Sequence, residues 1–234
     1  MDLPETTDIV RYIELEQDAM NVYRHLVRDS FAELSRGEVT ATNILIKILR
    51  LSQLTGGFLG DDEGKKVHQV SKSKLAALED IVDEMTSSGK KLVVIARFIP
   101  EIEAITDLLS KKKLKFSVIT GNVKNRSEQI EQFQNDSDLL VFVGQIATAG
   151  LGITLTAAST MACYSLDYSM SNFEQTKARI HRAGQQKNCT YIYLIAKGTV
   201  DEKVLITLQN KANLAKNLID EYKRGLNPYK IGGI

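Results

Sequence analysis

The sequence has few of the residues that mark special classes of protein. Its 234 residues include no tryptophan, only three prolines and only two cysteines. Two cysteines are too few for a disulfide scaffold, and Cys163 and Cys189 lie in or beside apolar strand-like runs without the spacing of a metal knuckle. We therefore expect two buried, reduced thiols. The hydrophobic fraction of 43% and charged fraction of 25% exclude disordered and collagen-like chains.

A strong charge imbalance and a long apolar run are also missing. The formal net charge is +1, so any nucleic-acid surface must be a local basic patch. No apolar run reaches membrane-spanning length, and the N-terminal stretch MDLPETTD is acidic and lacks the hydrophobic segment of a signal peptide. We expect a soluble cytoplasmic protein without a membrane partner.

Hydrophobic periodicity divides the chain at a polar, glycine-punctuated stretch, GDDEGKKVHQVSKSK. Before it, a short strand and two amphipathic helices are predicted, the second helix ended by a glycine pair. After it, continuous apolar runs alternate with amphipathic helices, which predicts a parallel sheet covered on both faces. In such sheets, ligands collect beyond the carboxyl ends of the strands. The strands after the boundary are predicted at KLVVIARF, KFSVIT, DLLVFVG, TMACYS and TYIYLIA.

Two of the predicted helices stand out by the arrangement of their side chains. The first covers SNFEQTKARIHR, and on its face Gln175, Arg179 and Arg182 stand at i, i+4 and i+7. The second is one long helix over TVDEKVLITLQNKANLAKNLIDEYK, whose apolar stripe is expected to brace the domain.

The two arginines of this pattern are candidates for phosphate contact. A solvated charged face is the ordinary interpretation. Here, however, the arginines have no acidic neighbour on their own face, and the glycine-containing turn AGQQKN comes directly after them. Two guanidinium groups one turn apart are suited to a terminal phosphate on which charge develops during phosphoryl transfer.

The stretch GQIATAGLGITLTAAS comes after the strand DLLVFVG and is a second candidate. Gly150 and Gly152 would let the backbone pass close to a ligand. Three threonines of this stretch carry hydroxyls that would hydrogen-bond to phosphates: Thr148, Thr154 and Thr156. An ordinary strand-to-helix connection explains the same residues equally well.

A third stretch, SLDYSMSNFEQ, supplies Asp167 and Tyr168 at a strand end, where a simple turn would also be adequate. A glycine- and lysine-containing stretch, GDDEGKKV, is not a phosphate loop, because its glycines have the wrong spacing and no Ser or Thr comes after the lysine. The remaining sequence has no GK[ST] loop and no DExH-like magnesium motif. The chain thus supplies arginines for a nucleotide but lacks the residues that hold one.

Taken in order and spacing, these stretches resemble a known family. AGLGITLTAAS, YSLDYS and EQTKARIHRAGQQKNCTYIYLIAKGTVDEKV are similar to motifs V and VI of the Swi/Snf-like ATPases of helicase superfamily two, and KLVVIARF is similar to motif IV. The resemblance covers nearly the whole chain, and the spelling is most similar to bacterial or phage members. It implies an α/β fold with a parallel RecA-like sheet flanked by helices, the P-loop NTPase-like second helicase lobe, preceded by a helical lead-in.

The same resemblance implies three segments. Residues 1–70 would form a strand and the helical lead-in or protrusion of the second lobe. Residues 71–200 would form the RecA-like helicase C-terminal lobe. Residues 201–234 would form a C-terminal bracing helix and tail.

The resemblance also implies site residues, by matching motif positions. Arg182 would be the principal finger on the γ-phosphate, Arg179 would assist it, and Gln175 would begin the motif. Residues expected beside the nucleotide are Gly150, Gly152 and Asp167. Residues expected to face the nucleic-acid backbone are Arg97, Gly121, Asn122, Arg126, Thr148 and Thr154.

The function implied is that of a motor lobe. In this family two lobes clamp ATP, and the first lobe holds the phosphates and Mg²⁺. The chain would then belong to an ATP hydrolase that translocates on double-stranded DNA, with the N-terminal lobe of the same protein as its partner, and would be inactive alone. Two departures, Ala178 in place of an aspartate and Ala147 in place of a basic residue, put one helix contact and part of the DNA grip in doubt. The alternative is a stand-alone, non-catalytic module that binds DNA or a protein.

Overall fold

The computed structural model describes residues 3–36, 40–61, 66–121, 125–146 and 152–231. The chain packs as two compact units. Unit 1 comprises Met1–Arg11 and Leu75–Leu194, and unit 2 comprises Tyr12–Lys74 and Ile195–Ile234. The division into segments 1–70, 71–200 and 201–234 stays a prediction, because packing units need not coincide with domains. No helix in the described part of the chain is long and apolar enough to cross a bilayer.

Secondary structure alternates between strands and helices along the chain. The strands are β1 Thr6–Ile13, β2 Phe58–Gly60, β3 Val67–Gln69, β4 Leu92–Ala96, β5 Lys115–Ile119, β6 Leu139–Gln145, β7 Thr160–Cys163 and β8 Cys189–Ala196. The helices are α1 Gln17–Arg36, α2 Ala41–Thr55, α3 Ser73–Ser87, α4 Ile99–Lys111, α5 Arg126–Asn135, α6 Met170–Lys177, α7 Val200–Gln209 and α8 Leu214–Lys223.

Six strands form one sheet in the order β1-β8-β7-β4-β6-β5. Register pairs show that β4, β5, β6, β7 and β8 run parallel. At the other edge, the amide of Cys189 donates to Glu5 O and that of Lys197 donates to Ile13 O, so β1 advances in the same direction as β8. The predicted parallel RecA-like sheet flanked by helices is therefore confirmed.

The central strands are apolar because helices cover both faces of the sheet. All five residues of β4 are buried, and five of the seven residues of β6 are buried. Such strands read as continuous hydrophobic runs instead of alternating patterns. Cys163 and Cys189 end and begin neighbouring strands as free, buried thiols, as expected. Burial raises the pKa of Cys163 to about 12, so this thiol stays protonated at neutral pH.

Unit 2 contains the predicted helical lead-in. Helix α1 buries Ala19, Tyr23, Val27 and Leu34 at four- and seven-residue steps, as a predicted amphipathic helix should. Helix α2 begins after Thr40, whose hydroxyl accepts a hydrogen bond from the amide of Asn43. A short antiparallel hairpin of β2 and β3 comes next, which the sequence did not predict because three-residue strands carry too little periodicity.

The prediction of one long C-terminal helix is wrong in one respect. It is two helices, α7 and α8, separated at residues 210–213. Lys211 has a φ of 50°, in the left-handed region that a helix does not contain. The side chain of Asn213 then accepts from the amide of Lys216 and starts α8. The apolar stripe continues across this break, so periodicity alone does not reveal it.

A buried ion pair joins the two chain segments that make up unit 2. The ammonium of Lys74 lies 2.6 Å from Asp201 Oδ2, and the two side chains are 2% and 10% exposed. Asp201 also accepts from the hydroxyl of Thr55 at 2.7 Å and from the amide of Ala196 at 3.1 Å. The carboxylate is therefore well satisfied where water cannot reach it.

Replacing Lys74 should destabilise the protein strongly. Lys74→Met leaves the Asp201 carboxylate buried without its cation, which typically costs about 3–5 kcal/mol of unfolding free energy. Lys197→Met is the matched control, because Lys197 is 62% exposed in its pair with Glu14, and we expect a change within about 0.5 kcal/mol. Urea denaturation of the three proteins measures the difference. Equal losses in both variants would contradict the assignment.

The carboxylate of Glu16 fixes the residues that begin α3. It accepts from the hydroxyls of Ser71 and Ser73 and from the amide of Lys72. Burial alone would raise the pKa of Glu16, but these hydrogen bonds outweigh it and lower the pKa to about 2. Ionised Glu16 therefore ties the polar segment 71–73 to the residue just before α1.

This contact predicts a pH-dependent contribution to stability. Because the folded pKa lies below its ordinary value of 4.5, the contribution is complete above about pH 4.5 and is lost as the pH falls toward about 2. The difference in urea midpoint between the wild type and Glu16→Gln should shrink from about pH 6 to about pH 3. Glu14→Gln, at an exposed neighbouring carboxylate, should show no such trend.

Candidate functional site

The helix that leads into the two candidate arginines is shorter than predicted. Helix α6 ends at Lys177, and Ala178 is its C-terminal cap. The carbonyl of Arg179 accepts from the amide of Leu155 instead of from a residue four positions later, so the helix does not continue. Residues 178–184, named here the arginine loop, form turns and bends. The prediction that Gln175, Arg179 and Arg182 share a helix face is therefore wrong.

The arginine loop nevertheless brings the two guanidinium groups together. Nη1 of Arg179 lies 3.5 Å from Ile153 O, and Nη1 of Arg182 lies 3.4 Å from the same oxygen and 3.4 Å from Gly152 O. These distances are long for hydrogen bonds, so the contacts are weak. Gly152 has a φ of 68°, a conformation that glycine adopts without strain.

The electrostatics of the pair is unfavourable without an anion. Burial and the nearby charge of Arg182 both lower the pKa of Arg179. In the described part of the chain, the guanidinium of Arg182 hydrogen-bonds only to carbonyl oxygens. Arg179 is 8% exposed, whereas Arg182 is partly exposed. Two cations held side by side, one of them accessible, form a site suited to an anion.

Gln185, which the sequence analysis did not single out, holds the arginine loop in place. Its side-chain amide donates to Ala158 O at 2.9 Å and to Ile180 O at 3.0 Å. Its side-chain oxygen accepts from the amides of Gln186 and Lys187, both at 3.0 Å. The side chain is 8% exposed. One glutamine therefore ties the loop to the segment that leads into β7.

Changing Gln185 to Glu should destabilise this region. A carboxylate oxygen would replace the amide nitrogen opposite two carbonyl oxygens, which leaves buried acceptors facing each other, at a cost of about 2–4 kcal/mol. Gln186→Glu is the neighbouring control, since Gln186 is exposed, and should change stability by no more than about 0.5 kcal/mol. Thermal unfolding at neutral pH measures both. A Gln185→Glu protein as stable as the control would refute the proposed role.

The arginine loop lies at the amino ends of the strands. The carbonyl of Ile180 is 3.7 Å from the sulfur of Cys189, the first residue of β8. His181 Nε2 lies 2.7 Å from the carbonyl of Pro4, which precedes β1. Because the six strands are parallel, this edge is opposite the carboxyl ends. The expectation that ligands gather at the carboxyl ends does not hold for the two arginines.

Other predicted site residues lie at that opposite, carboxyl edge. The guanidinium of Arg97, which comes directly after β4, lies 3.9 Å from the ring centroid of Tyr168 and 3.7 Å from Asp167 Oδ1. The carboxylate of Asp167 also accepts from the backbone amide of Tyr168 and from the side-chain amide of Asn172. The structure therefore places Asp167, expected beside the nucleotide, with Arg97 and away from the arginine loop.

Gln145 links the carboxyl ends of three strands, although the sequence analysis gave it no role. At the end of β6 it accepts from the amide of Gly121, just beyond β5, at 3.2 Å and donates to Arg97 O, just beyond β4, at 3.3 Å. Arg126 donates to Gly121 O at 2.6 Å. The structure thus brings Gly121, Arg126 and Arg97 together, and their role in nucleic-acid binding stays a prediction.

A buried carboxylate supports the same edge. Glu101, in the first turn of α4, is 1% exposed. It accepts from the hydroxyl of Ser165 at 2.6 Å and from the amides of Phe98 and Arg97 at 3.1 and 3.2 Å. The sequence signal was available, because an acid three residues after the N-cap residue, here Phe98, commonly caps a helix. It fixes the backbone of Arg97.

The remaining candidate site residues lie in different parts of the structure or outside the described residues. The carbonyl of Thr154 accepts from the side chain of Gln134 at 3.1 Å, near the amino edge and away from Arg97. Gln175 is exposed and its amide donates to the hydroxyl of Ser171 at 3.0 Å. The predictions for Gly150, Asn122 and Thr148 lie outside the described residues. The binding roles of all these residues stay predictions.

Part of the chain is similar to a known protein family. Residues 73–184 match the family model described as helicase conserved C-terminal domain. The chain is 32% identical over 155 residues to the chromatin-remodeling ATPase INO80 of Mycosarcoma maydis, covering 63% of this chain and 8% of that protein. It is 28% identical over 218 residues to an uncharacterized ATP-dependent helicase of Mycoplasma genitalium, covering 92% of this chain and 21% of that protein.

A solved structure shows the same fold. The Sulfolobus solfataricus SWI2/SNF2 ATPase core in complex with dsDNA superposes with a TM-score of 0.73 at 23% identity, covering 92% of this chain and 46% of that one. The chain spans only 8% of the length of the fungal relative and 21% of the length of the bacterial one.

These comparisons show the fold and what part of the chain is similar to. Residues 73–184 resemble a helicase conserved C-terminal domain, and the chain has a RecA-like fold. The C-terminal domain of the Sulfolobus solfataricus SWI2/SNF2 ATPase has the same fold. Relatives come from a fungus and a bacterium alike, so the bacterial or phage origin stays a prediction.

Proposed function

We propose that the chain is the C-terminal motor lobe of an ATP-dependent double-stranded DNA translocase. In this proposal Arg182 contacts the terminal phosphate of ATP, Arg179 supports it, and a first RecA-like lobe of the same protein holds the nucleotide. The relatives supply the setting, since they are named as ATP-dependent helicases or remodeling ATPases. The protein is proposed to act in the cytoplasm.

One observation carries the proposal. Two guanidinium groups share the carbonyl oxygen of Ile153 at 3.4 and 3.5 Å. A phosphate oxygen is a charged and stronger acceptor than a carbonyl, so an arriving phosphate would readily replace these weak bonds. In phosphoryl transfer such cations act on charge that develops on the transferred group, and they need no covalent step of their own.

The set of donors suits the terminal phosphate and little more of the nucleotide. Arg182 is partly exposed, Arg179 lies behind it, and Gly152 leaves open space where a side chain would stand. Bound ATP would supply the phosphoanhydride bond, and Mg²⁺ is assigned to the first lobe. Arg182 would bind the phosphate oxygens, while the buried Arg179 would add positive potential without needing direct contact.

The DNA part of the proposal rests on the carboxyl edge. Gln145 joins Arg97 and Gly121 there, and Arg126 donates to Gly121 O. Backbone amides and guanidinium groups at strand ends are suited to phosphate contacts that carry no sequence information. The solved relative with dsDNA supports a duplex as the partner. Arg97 is held by Asp167 and Tyr168, so it would have to move to reach a phosphate.

Arg182→Ala tests the finger assignment. In the full-length protein it should lower the DNA-stimulated ATPase rate by about a thousandfold or more. ATP binding should persist, because the first lobe holds most of the nucleotide. The rate is measured by steady-state phosphate release and binding by a fluorescent ATP analogue.

Lys187→Ala is the matched control, since Lys187 is an exposed cation a few residues beyond the arginine loop. It should keep a nearly normal rate. A normal rate in Arg182→Ala would show that the finger is another residue. Loss of ATP binding together with rate would show instead that Arg182 is needed for the ground-state complex.

A further inference from the structure

A cavity of about 960 Å³ lies within unit 2, and its lining contains no residue of the arginine loop or of the carboxyl-edge group. Helix α1 forms one wall, and the turn after β8 and the C-terminal residues 225–231 form the other. Its floor is apolar, because Leu15, Val27 and Tyr23 line it and are at most 8% exposed. A helix and a chain segment packed for stability alone would not leave such a space.

The rim of the cavity is cationic. Four Arg and Lys side chains line it, whereas Glu14 is the one carboxylate among the lining residues. Glu14 is already paired with Lys197 at 3.2 Å. The four cationic residues are Arg24, Arg28, Lys197 and Lys230.

Among the residues that the structure describes, two of these cations have no counter-charge. Arg28 is 3.6 Å from Asp29 and also contacts His25. In the described part of the chain, the side chains of Arg24 and Lys230 pair with no carboxylate. Arg24 and Arg28 also stand at i and i+4 on α1, where like charges weaken a helix. An anionic partner would remove both disadvantages.

A buried hydroxyl points to a missing partner as well. Tyr229 lines the same cavity and is fully buried. Its hydroxyl has no hydrogen-bond partner among the described residues. Buried polar groups in native proteins are nearly always satisfied, and exceptions call for an explanation.

The shape and chemistry favour a peptide over nucleic acid. A duplex is a stiff rod whose phosphates meet exposed surfaces, and it cannot enter a cavity between a helix and a chain segment. Single strands bind by stacking on exposed aromatic faces, whereas Tyr23 and Tyr229 are at most 3% exposed. Phe31, the partly exposed aromatic residue of the lining, already packs edge-on against Tyr222. An amphipathic peptide instead offers carboxylates to a cationic rim and apolar side chains to the floor.

We propose that this cavity binds an acidic, amphipathic segment of a partner protein. Carboxylates of the segment pair with Arg24 and Lys230, and its apolar side chains pack on Leu15 and Val27. This site is independent of the arginine loop and does not rest on the proposed motor function. It gives the lobe a protein-binding surface of its own.

Fluorescence anisotropy with two labelled peptides tests the proposal on the 234-residue chain. The first is an amphipathic Glu/Leu peptide of about twelve residues, roughly 18 Å as a helix. The second has glutamine in place of every glutamate. We expect only the acidic peptide to bind, and its affinity to fall with rising salt, because exposed charges are screened.

The double variant Arg24→Glu, Lys230→Glu should bind the acidic peptide at least about tenfold more weakly. Lys216→Glu, Lys223→Glu changes the net charge equally on exposed residues of α8 outside the cavity and should bind normally. Both should melt like the wild type, because the changed side chains are exposed.

Unchanged binding in the cavity variant, equal loss in the control, or equal binding of the glutamine peptide would overturn the proposal. Binding of labelled duplex DNA without the peptide, lost in the cavity variant, would replace it with a nucleic-acid surface.

Discussion

The burial of the central strands on both faces is the constraint on which unit 1 depends. Strands β4 and β6 pair with each other and are covered by helices, so their middles admit only apolar side chains. Polar and charged groups are thereby restricted to the two ends of the strands. The functional residues therefore fall into two groups at opposite edges, and each group needs its own network to hold it.

The two groups are built differently. At the carboxyl edge, Glu101 and Gln145 fix the backbone around Arg97 through hydrogen bonds to main-chain groups. At the amino edge, Gln185 does the same for the arginine loop. Helix α6 starts three residues after Asp167 and ends two residues before Arg179. It is therefore the one helix between the two groups along the chain.

The sequence predicted the helices and strands better than it predicted the contacts between side chains. The positions of the strands and the parallel sheet are predictable because continuous apolar runs can be recognised in the local sequence. The arginines were found because two guanidinium groups without acids are unusual on a helix face. Their real environment was not anticipated, since the end of α6 depends on Leu155 taking the carbonyl of Arg179 across a long separation. The roles of Gln185 and Lys74 depend on partners equally distant in sequence.

By itself the sequence determined the α/β class, the positions of the main strands along the chain and the presence of paired arginines ahead of the last strand. Periodicity and residue type are local properties, and they are the same whatever the chain packs against. Only the tertiary structure decided that the arginines lie at the amino edge, that Asp167 lies with Arg97, and that Lys74 is buried against Asp201. Each of these depends on which distant segments come together, and that is settled by the packing of the whole core.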